Sequence, residues 1–199
     1  MAKVAVIYYS STGTNHAMAR AVAEGAQGAG AEVRVRLVAE TAPQQAIDGN
    51  PKWKAFVDAT RGEPRASLDD LEWADAVIFG SPTRYGNVAS QFKAFIDSTG
   101  PLWGAGKLAD KVYAGFTSAM NPHGGQESTL LAMFVTIHHF GGYLVAPGYT
   151  DPAVFAAGGN PYGPSATADG KHDAPNEKEL AHGRYLGARV AKVTAKLVG

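Results

Sequence analysis

The sequence predicts an α/β fold built on a doubly wound parallel sheet with helices on both faces. Three observations carry that expectation. The runs Lys3-Val4-Ala5-Val6-Ile7-Tyr8-Tyr9 and Asp75-Ala76-Val77-Ile78-Phe79-Gly80 are apolar without polar alternation, as strands buried on both faces are. Segments of helical periodicity lie between such runs. The loops after three of the strands are rich in Gly, Ser, Thr and Asn.

Lys3 to Tyr9 is the first strand. Met18, Ala21, Val22 and Ala26 then recur at helical spacing, and Gly28 and Gly30 close that helix, although Gly25 inside it weakens the pattern. Glu32 to Val38 largely alternates and suits a second strand. Ala39 to Ser67, with Pro43, Pro51 and Pro64, predicts irregular structure with short helical turns. Asp75 to Gly80 is the third strand, and Val88, Phe92, Phe95 and Ile96 mark the helix that follows. Lys111 to Thr117 is the fourth strand. The next helix, about Gln126 to Phe140, is apolar almost all round through Leu130, Leu131, Met133, Phe134, Val135 and Ile137. It needs cover on more than one side, from the core or from another subunit. Tyr143 to Pro147 is a short fifth strand, and Thr150 to Pro175 reads as a long Gly- and Pro-rich loop. Asn176 and Glu179 have the spacing of a capping box and open a last helix with Leu186, Val190, Val193 and Leu197 on one face. With no repeat and no composition break, residues 1–199 read as a single domain.

Composition narrows the function. The 18 basic and 18 acidic residues cancel, so the net charge gives no electrostatic reason to bind nucleic acid or an anionic membrane. The absence of cysteine excludes disulfides, thiolate metal sites and cysteine nucleophiles. Met1-Ala2-Lys3 runs straight into a strand rather than a signal-peptide pattern, and no stretch has the apolar length of a membrane span. A cytoplasmic location is expected. His16, His123, His172 and His182 show no ligand spacing, and the adjacent His138 and His139 point about 100° apart on a helix. No metal site is expected.

In an open parallel sheet, ligands bind beyond the carboxyl ends of the strands. The first such loop, Ser10-Ser11-Thr12-Gly13-Thr14-Asn15, offers side-chain donors, a glycine that lets backbone come close, and an immediate helix start whose N–H groups face an anion. It contains no Lys or Arg and suits a phosphate monoester held by neutral donors. Ordinary Ser/Thr capping of a helix is the alternative. The other two loops are Ser81-Pro82-Thr83-Arg84-Tyr85-Gly86-Asn87 and Ser118-Ala119-Met120-Asn121-Pro122-His123-Gly124-Gly125. Gly104-Ala105-Gly106-Lys107-Leu108 lacks both the spacing and the hydroxyl of a P-loop. Neither a G-x-G-x-x-G after the first strand nor a G-x-S-x-G occurs.

The first loop resembles the flavodoxin phosphate loop [ST]-x-T-G-x-T, with Asn15 in place of the last Thr. The start Met1-Ala2-Lys3-Val4, the loop Pro82 to Asn87, Leu102-Trp103, Gly124-Gly125-Gln126-Glu127, His138-His139 and Pro161-Tyr162-Gly163 resemble the WrbA family of NAD(P)H:quinone oxidoreductases over nearly the whole chain. That resemblance implies a flavodoxin-like five-stranded sheet in the order 2-1-3-4-5, bound FMN, NADH or NADPH as reductant, a small-molecule quinone as oxidant, ping-pong two-electron chemistry and a homotetramer. By position, Ser10, Ser11, Thr12, Gly13, Thr14 and Asn15 would bind the phosphate. Pro82, Thr83, Arg84 and Tyr85 would line the flavin ring, with Gly86 and Asn87 close by. Ser118, Ala119, Met120, Asn121, Gly124 and Gly125 would form the third flavin loop. Trp103, with Tyr85, would wall the substrate pocket. His138 would reach a flavin site across a subunit interface and could donate a proton to a quinone oxygen.

The sequence departs from the family in three places. Thr12 stands where the family carries an aromatic residue beside the nicotinamide, residues 119–123 hold a one-residue insertion with Pro122, and residues 49–66 match poorly. Taken singly, several of these residues have plainer readings. Trp103 could be partial core, Tyr85 a plug at a helix start, Arg84 a surface ion-pair partner and His138 an interior histidine. Three other readings compete: a flavodoxin-type electron carrier, which the neutral net charge disfavours, an FMN-containing regulatory protein that binds a transcription factor, and a flavin-free structural protein. The last would purify colourless and stay so with added FMN.

Overall fold

A computed structural model describes residues 1–170 and 174–199. Residue His172 and part of the loop expected at 150–175 lie outside the described residues. The elements in chain order are β1 (Lys3–Tyr8), α1 (Thr14–Gly28), β2 (Glu32–Leu37), α2 (Gln44–Asp48), α3 (Pro51–Ala59), α4 (Leu68–Trp73), β3 (Ala76–Pro82), α5 (Ser90–Asp97), α6 (Gly100–Gly104), β4 (Val112–Ala119), α7 (Gln126–Phe140), β5 (Tyr143–Leu144), α8 (Pro152–Ala156), β6 (Ser165–Thr167) and α9 (Glu177–Val198).

The sheet is parallel in the order β2-β1-β3-β4-β5, as the resemblance implied, with a sixth strand that was not expected. β5 pairs with the start of β4 (Val112 with Tyr143) and β6 with its end (Thr117 with Ser165, Ala119 with Thr167). The edge strand is thus split, and the residues between its halves leave the sheet to form α8 before returning. Only three residues of β6 pair, too few to show as a periodic run, and the expected long loop therefore contains both α8 and β6.

Alternate residues of β1 feed two cores. Val4, Val6 and Tyr8 pack with Val22, Phe116, Leu186 and Val190 beneath α1 and α9, while Ala5, Ile7 and Tyr9 pack with Phe79, Phe92, Leu130 and Phe134 beneath α5 and α7. The last helix buries Leu186, Val190 and Thr194 as a stripe; Val193 is only half-buried and Leu197 is exposed. Val88 precedes α5 instead of belonging to it. Helix α7 buries most of its apolar side chains against the sheet, but Leu131 and Val135 point outward.

Gly25 has a positive reason to be where it is. A Cβ there would lie 1.9 Å from the Arg184 carbonyl oxygen, and one at Gly187 would lie 1.9 Å from that of Val22. The two glycines let the backbones of α1 and α9 touch. The capping box of α9 forms as its spacing predicts: Asn176 Oδ1 accepts from the Lys178 and Glu179 N–H groups, and Glu179 accepts from the Asn176 N–H. The other Glu179 oxygen accepts from Thr167 N–H, fastening α9 to β6.

His182 of α9 is 1% exposed, its Nε2 has no partner among the described residues, and burial pushes its pKa down to about 4 against a pull upward from Asp151. The folded protein therefore refuses a proton that the unfolded chain accepts below its ordinary value of 6.5. Stability tied to His182 is complete above that value and falls between it and about 4, at a cost of about 2 kcal/mol by pH 5. Denaturant melts at pH 7 and pH 5 should show wild type losing that much more than His182→Leu. Equal losses in the two proteins would refute the assignment.

Candidate active site

A cleft of about 630 Å3 opens at the carboxyl ends of the central strands, within the volume range of ligand pockets. All three predicted loops reach it. Ser10, Ser11, Thr12 and Thr14 come from the first, Pro82, Thr83, Arg84 and Tyr85 from the second, and Ser118, Ala119, Met120, Asn121 and Gly124 from the third. Asn50, Lys52, Ala168 and Gly170 complete the lining, and no carboxylate does so among the described residues.

The first loop is shaped by Gly13, the N-cap of α1, at φ 103 and ψ −17. Its N–H donates to Ser10 Oγ at 3.0 Å, which curls the loop over the helix start. Thr14 opens a helix with no acidic residue in its first turn, so the positive end of the helix dipole is not offset there. Asn15 does not line the cleft. Its Nδ2 donates to the Tyr9 carbonyl at 3.4 Å, and the residue braces the loop from behind.

The second loop is a tight turn in which the Arg84 and Asn87 backbones bond both ways, with Tyr85 at φ 54 and Gly86 at φ 79. Two left-handed central residues define a type I′ turn, for which Asn-Gly is usual and Tyr-Gly is strained. The Tyr85 ring is fully exposed at the rim of the cleft. Arg84 donates to the Thr83 carbonyl at 2.9 Å and to Ser11 Oγ at 3.3 Å, linking the first two loops.

Gly86, Asn87 and Gly125 stand behind the lining. A Cβ on Gly125 would come within 2.7 Å of Gly86 Cα, so these glycines let the second and third loops meet backbone to backbone. Thr83 Oγ1 reinforces the junction, accepting from Thr129 Oγ1 at 2.7 Å and from Gly86 N–H at 3.2 Å. At Gly124 a Cβ would lie 2.7 Å from that of Ala119, which keeps the third loop folded on the end of β4.

Two predicted residues lie elsewhere in this chain. Trp103 sits in the short helix α6, not in a loop, and its Nε1–H donates to the His139 carbonyl at 2.9 Å. His138 is in the last turn of α7, about 18 Å along the helix from the third loop. Both are exposed at the end of α7 remote from the cleft.

Sequence reasoning missed the contribution of residues 49–66. Asn50 caps α3, accepting from the Lys52 and Trp53 N–H groups, and Pro51 occupies the first helical position. The Asn-Pro pair was the available signal. It brings Lys52 to the cleft, a cation the first loop itself lacks. Behind Lys52, Glu40 ties this segment down. Its Oε2 accepts from Tyr9 OH and Trp53 Nε1–H, both at 2.8 Å, and its Oε1 from Gln91 Nε2 and the Thr41 and Ala42 N–H groups. Burial alone would raise the Glu40 pKa, but these donors, led by Ala42 and Gln91, hold it below the ordinary value.

Residues 2–150 match the NADPH-dependent FMN reductase family. An NAD(P)H dehydrogenase (quinone) of Deinococcus radiodurans is 50% identical, covering 99% of this chain and 98% of its own, and one from Azorhizobium caulinodans is 44% identical over the full length of both. The solved structure of a flavodoxin, WrbA-like protein from Agrobacterium tumefaciens superposes with a TM-score of 0.71 at 29% identity, covering 98% and 99% of the two chains. The chain belongs to this family and is of the WrbA type.

The family implies FMN, and the residues present fit it. The cleft offers hydroxyls and a helix start at one end, two cations and, among the described residues that line it, no carboxylate to repel a phosphate. The strained, solvent-facing Tyr85 gives its rim an aromatic surface suited to a flat ring.

Proposed function

We infer that this WrbA-type protein is an FMN-dependent NAD(P)H:quinone oxidoreductase. The observation that carries the reading is the cleft at the strand ends, a cradle with no carboxylate among its described lining residues and an exposed aromatic ring at its rim, in a chain similar along its whole length to quinone dehydrogenases. Bound FMN would supply the chemistry, accepting a hydride and passing two electrons on. The protein binds, orients and shields.

Ser10, Ser11, Thr12 and Thr14, with the N–H groups at the start of α1, would hold the phosphate, and Lys52 would add charge. Thr83, Arg84 and Tyr85 would lie along one side of the ring and Ser118 to Asn121 with Gly124 along the other. One open cleft serves reductant and quinone in turn, so ping-pong kinetics follow. Trp103 and His138 belong, in this reading, to the cleft of another subunit of a homotetramer, which their remoteness from the cleft of their own chain and the outward Leu131 and Val135 support. A chain mass by light scattering that stays monomeric would remove that part. Among the described residues no helix is long and apolar enough to cross a membrane, and a cytoplasmic site of action is proposed.

Anaerobic stopped-flow mixing with NADPH tests the reading. The flavin absorbance should bleach within the turnover time and return on adding a quinone, and initial-rate plots should give parallel lines. A flavin that stays oxidised would leave an electron carrier instead.

A further inference from the structure

A second cavity of about 740 Å3 opens beside the cleft, and Arg84 lines both. Its apolar lining comes from Ala42, Pro43, Trp53 and Val88, and Gln91 adds an amide. Arg84 and Lys93 are its two charged lining residues, with no carboxylate among the described residues that line it. Arg84 has no ion-pair partner among the described residues; its guanidinium donates to the Thr83 carbonyl and the Ser11 hydroxyl. Lys93 pairs with Asp97 one turn further along α5, an exposed pair worth little, so its ammonium can turn to another anion at small cost. Glu40, the nearest acid in the network behind Trp53 and Gln91, already has both oxygens engaged by five donors.

An aromatic and apolar wall, two cations and no anion suit a planar base that carries phosphate. The position suits a ligand whose other end lies in the flavin cleft, because the two spaces share Arg84. We propose that this cavity takes the 2′-phosphoadenosine half of NADPH, with Trp53 against the adenine and Arg84 and Lys93 on its phosphates. The proposal deepens the reductase reading and rests on it for the identity of the dinucleotide. Lys93 then contributes to the choice of NADPH over NADH, because the 2′-phosphate is the charge by which the two differ.

The test uses the oxidised, FMN-loaded protein and adenosine 2′,5′-bisphosphate as probe, followed by calorimetry. Wild type should bind the probe, and the probe should compete with NADPH. Lys93→Glu should weaken probe binding and lower the ratio of kcat/KM for NADPH to that for NADH, each about tenfold. Lys107→Glu, at a lysine that pairs with Glu72 and lines neither cavity, should match wild type. No heat with wild type, or equal binding and an unchanged ratio in Lys93→Glu, overturns the site. If NADPH bleaches the flavin while the probe fails to bind, the site falls and the reductase reading stands. If the probe binds in a Lys93-dependent way and NADPH never bleaches the flavin, the reductase reading falls and the phosphoadenosine site stands.

Discussion

Replacing Gly13 by valine should weaken FMN binding about a thousandfold, about 4 kcal/mol, in a protein that still folds. Space is not the obstacle. A Cβ at Gly13 would meet Phe56 Cδ2 at 3.6 Å, an ordinary contact. The obstacle is the backbone at φ 103, which a β-branched residue does not hold. The chain must relax there, and the relaxation turns the first N–H groups of α1 away from the anion and breaks the bond to Ser10 Oγ. Fluorescence titration with FMN measures the loss, and circular dichroism shows whether the fold persists. An affinity within threefold of wild type would mean that the phosphate is not held at this helix start.

Glu40→Ala is expected to lower stability by about 4 kcal/mol and the midpoint of thermal unfolding by roughly 10 °C. The carboxylate accepts from the Tyr9 hydroxyl, the Trp53 indole, the Gln91 amide and two backbone N–H groups. Removing it strands several half-buried donors at once, and each unsatisfied group carries its own desolvation cost. Glu40→Gln, which keeps the size but places an amide donor against other donors, should recover only part of the loss. Because the folded-state pKa of Glu40 is lowered, its contribution is present at neutral pH and is lost as pH falls through that lowered value. A midpoint within about 1 °C of wild type for Glu40→Ala would show that water replaces the carboxylate without cost.

The central strands and the three loops that line the cleft were legible in the sequence because each is specified locally. A strand buried on both faces must be continuously apolar, and a loop that approaches an anion needs small residues and hydroxyls. Helix α7, expected at about Gln126 to Phe140, has those bounds in the structure, where Gly125 and Gly141 flank it in left-handed conformations at φ 94 and φ 74. What escaped depends on partners distant in the chain. β6 exists because Thr117 to Ala119 offer an unpaired edge, not because Ser165-Ala166-Thr167 favours a strand. Gly86 and Gly125 read as ligand contacts, yet a Cβ on Gly125 would meet the Gly86 backbone and one on Gly86 the Ser128 hydroxyl at 2.7 Å. Trp103 and His138 carry a family pattern that a single chain does not bring to its own cleft. Lys52 reaches the cleft only through the cap at Asn50 and the anchoring of Trp53 on Glu40.

The backbone contact between α1 and α9 has a consequence for biosynthesis. Gly187 leaves the ribosome roughly 160 residues after Gly25, a delay of about 8 to 30 seconds at ordinary elongation rates. Through that interval the face of α1 that carries Met18 and Val22 has no α9 to cover it, although the loop Ser10 to Asn15 at its start is already synthesised. Closure of this long-range contact is then a late event, and the nascent chain is at its most aggregation-prone just before its last helix emerges.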